Sequence, residues 1–143
     1  MRSQRTSVLL VEDHIFMGRM LARLLQEQGK MEVWAITETG EAALEKLAAV
    51  AANEQPPDLA LVDVSLPGMS GIDLVAELAR LYSVLPCLML SAHRDLNYVR
   101  QALDNGARGY VAKGDPPAII DAILHVLDGE IYLSDTMRQA LEA

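Results

Sequence analysis

Residues 59–71 read LALVDVSLPGMSG. The opening LALV is apolar without interruption, which suits a short strand buried on both faces. Asp63 closes the run, and 65–71 is dense in Ser, Pro and Gly, which makes a loop. Helical spacing resumes at 72–82. The same order of apolar run, polar stop and helix recurs on both sides. Upstream, SVLLV at 7–11 ends in Glu12, Asp13 and His14. A helix is predicted at 15–28, with Met17, Met20, Leu21, Leu24 and Leu25 inward and Arg19, Arg23 and Gln26 outward. MEVWAI at 31–36 reads as a strand that Glu32 weakens. The stretch 39–52 reads as a helix capped by Thr39 or Thr37, with Ala42, Ala43, Leu44 and Leu47 inward. Downstream, PCLML at 86–90 is a strand ended by Ser91, and 95–105 is a helix. GYVA at 109–112 is a short strand ended by Lys113, and a last helix opens with Asp115 as cap and Pro116 in its first turn.

Five strand–helix units in succession predict an α/β fold. Its core is a doubly wound, five-stranded parallel sheet with helices on both faces, joined by right-handed crossovers. The chain has 143 residues, suited to one domain. Residues 1–130 are assigned to that domain. Residues 131–143 are set as a C-terminal tail or the start of a linker, with Ser134 capping one short helical turn at 135–141. Apolar residues make up 51% and aromatics 4%, so the core is aliphatic, and the methionines are assigned to core filling. Trp34 is expected to pack on the sheet, and Cys87 to be an inert core thiol. A lone cysteine makes no internal disulfide. The net charge of −8 repels nucleic acid and anionic lipid, so these residues are not expected to grip DNA by themselves. No apolar run approaches the roughly 18 residues of a membrane span, and no signal peptide is read at the start. A reducing, cytoplasmic setting is expected.

The chemistry lies in where the polar residues fall. Glu12 and Asp13, Asp63, Ser91 and Lys113 each follow a strand. In an open α/β sheet, ligands bind beyond the carboxyl ends of the strands, where strand order reverses. With order 2-1-3-4-5, the three acids, the hydroxyl and the ammonium share one crevice. Like charges about 4 Å apart repel by roughly 4 kcal/mol at an effective dielectric near 20. Lys113 offsets part of that charge, and a hard divalent cation such as Mg2+ offsets the rest, since the donors are oxygens. Such a crevice suits phosphoryl transfer, and a carboxylate in it can itself take the phosphoryl group.

VLLVEDH at 8–14, LALVDVSLPGMSG at 59–71, LMLSA at 88–92 and GARGYVAKG at 106–114, in this order and spacing, resemble the receiver domain of two-component response regulators. The resemblance implies a flavodoxin-like (βα)5, CheY-like fold. It implies that Asp63 accepts a phosphoryl group from a sensor histidine kinase. By the same resemblance Asp13 and Asp63 bind Mg2+ directly, the Ser65 carbonyl completes the protein ligands, and Glu12 acts mainly through water. Lys113 would pair with phosphoryl oxygens. Ser91 would bond one of them and move inward on activation, with Tyr110 as the aromatic that turns inward with it. A surface around Tyr98, Tyr110 and Ile119 would then change partners or form a homodimer. The end of the chain, through Ile131, Tyr132, Leu133 and Ser134, resembles regulators of the LuxR/NarL type. This implies that transcription and DNA are reached only through an output domain outside these residues.

Ser91 stands where Thr is commoner, Glu12 where Asp is commoner, and Gly114 where many relatives have Pro; none removes a needed group. Ser65 and His93, each two residues beyond a site residue, are assigned to tuning the lifetime of the phosphoryl group. His14, His93 and His125 lack ligand spacing and are not assigned to a metal. Other readings compete. A pseudo-receiver would be a binding module that leaves the pocket unused. A phosphohydrolase on a similar sheet would want Asp where Ser65 stands. A nucleotide-binding domain would want a glycine fingerprint after the first strand, and none is there.

Overall fold

The computed structural model describes residues 5–92 and 95–142. Five strands alternate with helices: β1 (Thr6–Val11), α1 (Ile15–Glu27), β2 (Met31–Thr37), α2 (Gly40–Ala48), β3 (Leu59–Asp63), α3 (Gly71–Leu81), β4 (Cys87–Ser91), α4 (Leu96–Asp104), β5 (Gly109–Ala112) and α5 (Pro116–Leu127), followed by α6 (Asp135–Glu142). The strands form one parallel sheet in the order β2-β1-β3-β4-β5, as the alternation of patterns predicts. His93 lies outside the described residues.

The period of two along each strand divides the core between two faces. Val8, Leu10, Leu59, Leu61, Leu88, Leu90 and Val111 pack with α1 and α5 through Leu21, Leu25, Ile119 and Ile123. Leu9, Val11, Ala60, Val62, Met89 and Tyr110 pack with α2, α3 and α4 through Ala43, Leu47, Leu74, Leu78 and Val99. Both faces being covered is why the central strands read as unbroken apolar runs. Caps fix where the helices start. Thr39, Ser70 and Asp115 accept from the backbone N–H groups of Ala42, Asp73 and Ala118, and Asp95 accepts from Asn97.

Two sequence expectations are corrected. In α1 the buried stripe is Gly18, Leu21 and Leu25, while Met20 is 63% exposed. Gly18 faces inward, and a Cβ there would make ordinary van der Waals contact with Ile36 at 3.5 Å. Met20 is therefore not core filling. The second helix stops at Ala48 rather than at 52, because Ala51 and Ala52 are exposed and have no apolar surface to cover. Ser134 caps α6 by accepting from the Met137 N–H, as the sequence predicts. Tyr132 bridges to Gly109, and Met137 is buried in the same cluster as Tyr110.

Candidate functional site at the carboxyl edge of the sheet

Parallel strands deliver their carboxyl ends to one edge of the sheet, so register decides what meets there. Val11 pairs with Val62, and Asp63 pairs with Leu90. The residues just past β1 therefore lie beside Asp63. Ser91 pairs with Ala112, and the Lys113 N–H donates to the Ser91 carbonyl at 3.0 Å. This bond anchors the start of the Lys113 backbone at the same edge.

Lys113 sits at the centre of the cluster. Its Nζ donates to Asp63 Oδ2 at 2.8 Å and lies 2.7 Å from Glu12 Oε1. The other Asp63 oxygen, Oδ1, accepts from the Ser65 N–H at 3.0 Å. Glu12 Oε2 accepts from the His14 N–H at 3.3 Å. Glu12 and Asp63 are each 2% exposed, and Ser91 is 1% exposed. Asp13 is more open, yet its Oδ1 atom is buried and has no hydrogen-bond partner among the described residues. One ligand atom from each of Glu12, Asp13, His14 and Asp63 lies within 4.8 Å of the others.

The charge does not balance. Among the described residues, three carboxylates face one ammonium. Burial raises the Glu12 carboxyl above its ordinary value, and a hydrogen bond with Asp63 raises it further, against the pull of Lys113. Burial would lower the Lys113 ammonium. Its bonds to Asp63 and Glu12 outweigh that, and it ends above its ordinary value. The causes differ: burial dominates at Glu12, and the two acidic partners dominate at Lys113.

Tyr110 is 1% exposed, turned inward from β5. Burial raises its phenol, while a hydrogen bond with Ser91 opposes the shift. That bond connects the Asp63 crevice to the α4 side of the sheet. Cys87 is buried in β4, and burial pushes its thiol up to about 12, so it is unreactive at neutral pH.

Gly71, at the start of α3, fixes the loop that carries Ser65. Its N–H donates to the Val64 carbonyl at 3.0 Å, and a Cβ built on it would lie 1.9 Å from the Asp63 carbonyl oxygen. Only glycine lets the helix approach the backbone of Asp63 this closely.

The structure thus brings together Glu12, Asp13, Asp63, Ser65, Ser91 and Lys113, with Tyr110 behind Ser91. Sequence reasoning missed two neighbours. Gly71 carried no assigned role, although it closes the quoted loop. His14 was set aside on spacing, yet its Nδ1 lies 3.6 Å from Glu12 and 3.7 Å from Asp13. Its position directly after the acid pair was the available signal.

The response regulator receiver domain family matches residues 8–124. The chain belongs to that family. The receiver is 34% identical over 135 residues to the transcriptional activator protein ExaE of Pseudomonas putida, covering 94% of this chain and 61% of that protein. It is 31% identical over 130 residues to the transcriptional regulatory protein DegU of Brevibacillus brevis, covering 90% and 53%. The receiver therefore spans little more than half the length of the curated relatives it matches. Among solved structures it resembles a LuxR family two-component response regulator from Aurantimonas sp. SI85-9A1, with TM-score 0.85, 26% identity and 94% of each chain covered. A LuxR family DNA-binding response regulator from Silicibacter pomeroyi gives TM-score 0.77 and 32% identity, over 92% of this chain and 98% of that one. Receivers are signalling domains of two-component systems, and this fold is the CheY-like, flavodoxin-like one. No described helix is long and apolar enough to cross a membrane.

Proposed function

We propose that Asp63 of this receiver is the phosphoacceptor, loaded from the phosphohistidine of a sensor histidine kinase. The observation that carries the reading is the Asp63 carboxylate itself. It is buried and held at both oxygens, by the Lys113 ammonium at 2.8 Å and the Ser65 N–H at 3.0 Å. A carboxylate oxygen of Asp63 is the nucleophile. That oxygen forms a bond to phosphorus as the phosphorus–nitrogen bond to the donor imidazole breaks. The leaving nitrogen keeps the electron pair and recovers a proton from its surroundings. Lys113 and the Ser91 hydroxyl then meet the new phosphoryl oxygens, which add about −1.5 to −2 charge.

The donor set fits a hard divalent cation. Glu12, Asp13 and Asp63 offer carboxylate oxygens, and Asp13 Oδ1 is buried without a hydrogen bond among the described residues. Asp13 and Asp63 would hold Mg2+ with the Ser65 carbonyl, and Glu12 would act through water. When bound, Mg2+ neutralises charge on the phosphoryl oxygens and on the carboxylates. Ser91 and Tyr110 are the switch pair, and Ser65 and His93 tune the lifetime of the phosphoryl group.

We assign residues 1–130 to the receiver unit and 131–143 to the segment leading out of it. The setting is cytoplasmic. The response is a change of partner or of homodimerisation, with transcription controlled through a DNA-binding output domain in a longer protein. The test is incubation with acetyl phosphate and Mg2+ followed by intact mass. The wild type gains one phosphoryl group and Asp63→Asn gains none. No gain on the wild type, or an equal gain on the variant, overturns the assignment.

A further inference from the structure

The outer edge of β5 is where the sheet would be left open, and an open edge invites pairing with another chain. Here it is closed from within. The Tyr110 N–H donates to the Tyr132 carbonyl at 3.1 Å, and the Tyr132 N–H donates to the Arg108 carbonyl at 3.0 Å. Gly109 permits this approach, since a Cβ there would lie 2.9 Å from the Tyr132 oxygen. The chain then turns at Ser134, which caps α6 by accepting from the Met137 N–H at 3.2 Å. Helix α6 packs on α4, and Met137 enters the buried cluster that holds Tyr110, Val99 and Ala102. Leu133 and Leu141 pack against the same cluster. Leu96, Tyr110, Asp115, Tyr132 and Met137 also line one groove of about 410 Å3, where β5, α5 and α6 meet.

Tyr110 is therefore held from two sides. Its hydroxyl bonds Ser91, which follows the Leu90 that pairs with Asp63, and its backbone N–H is taken by the 131–142 segment. We infer that residues 131–142 are an internal clamp on β5 whose docking and the inward seat of Tyr110 are one cooperative unit, so that loading of the Asp63 crevice tightens the clamp. This rests on the proposed phosphoryl site. The physical reason is linkage. A group that binds better when Ser91 and Tyr110 are seated must favour whatever else seats them, and by the same factor. The clamp covers the β5 part of the surface that would otherwise meet partners. The loaded receiver accordingly presents α6 rather than a bare β5 edge.

The test uses the whole chain with Mg2+ and beryllofluoride, a phosphoryl mimic, read by amide hydrogen exchange and by calorimetric titration. In the wild type, beryllofluoride slows exchange across 131–142 and at Tyr110 by about fivefold or more. Met137→Glu undocks the helix. It speeds exchange there and weakens beryllofluoride binding by the same factor, and Met137→Leu restores both. Binding of beryllofluoride to the wild type with no change in exchange across 131–142 overturns the clamp and leaves the phosphoryl site standing. No binding at all overturns both. If Met137→Glu fails to fold, the wild-type exchange alone decides.

Discussion

The carboxyl edge of the sheet and the seam between β5 and α6 are built on opposite terms. At the carboxyl edge, among the described residues, acids outnumber their cation and the buried Asp13 Oδ1 has no hydrogen-bond partner. At the seam, both backbone groups of Tyr132 are hydrogen-bonded and the apolar side chains are buried together. The edge gives up stability to stay ready for a cation and a phosphoryl group, as sites commonly do. The seam carries no such cost, and it links that edge to the end of the chain. The Ser91–Tyr110 bond is where the two meet.

The comparison is broken most severely at Gly71. Gly71→Ala forces a Cβ into the Asp63 backbone and lowers the unfolding free energy by about 3 kcal/mol or more. Gly114→Ala meets no atom within 4 Å and changes it by about 0.5 kcal/mol or less. Urea unfolding of both variants checks this; equal effects would mean that the acidic edge is not scaffolded by α3. Next comes the seam. Met137→Ala leaves a cavity under α6 and lowers stability by about 2 kcal/mol, at the low end for a buried Met because the site lies at an edge. A loss near zero would show that α6 is only resting on the surface.

The smallest effect is a pH dependence at Glu12. Its carboxyl is raised above the ordinary value near 4.5, so the folded state binds this proton more tightly than the unfolded chain does. Its favourable contribution is complete below that value and lost as pH rises through the raised one. Glu12→Gln is accordingly more stable than the wild type at neutral pH without Mg2+, and the gap narrows as pH falls through that window. Urea unfolding at a series of pH values measures it. A gap that widens on acidification would mean that Lys113 fully compensates the edge.

Much of this was legible in the sequence because the central strands are buried on both sides. Nothing but an apolar run can occupy such a strand, so LALV and SVLLV announced themselves, and the polar residue after each run marked the functional edge. Helix faces were harder. In α1 Gly18, which no hydropathy pattern flags, is turned inward beside Leu21 and Leu25, while Met20 is apolar and points to solvent. The end of α2 was overshot because alanines favour helix whether or not a neighbour covers them. The seam was hidden for another reason. Leu133, Met137 and Leu141 have helical spacing, but a segment so short has no stability of its own, and only the β5 edge makes it fold. His14 was hidden because its ring reaches the acids through local geometry rather than through any ligand spacing.

The central claim is that the carboxyl edge, among the described residues, is short of one cation. It is tested most directly by urea unfolding with and without Mg2+, on the wild type and on Asp13→Asn. At a Mg2+ concentration ten times its dissociation constant, the wild type gains about 1.4 kcal/mol and the variant gains little or nothing. Equal stability of the wild type with and without Mg2+ would contradict the account.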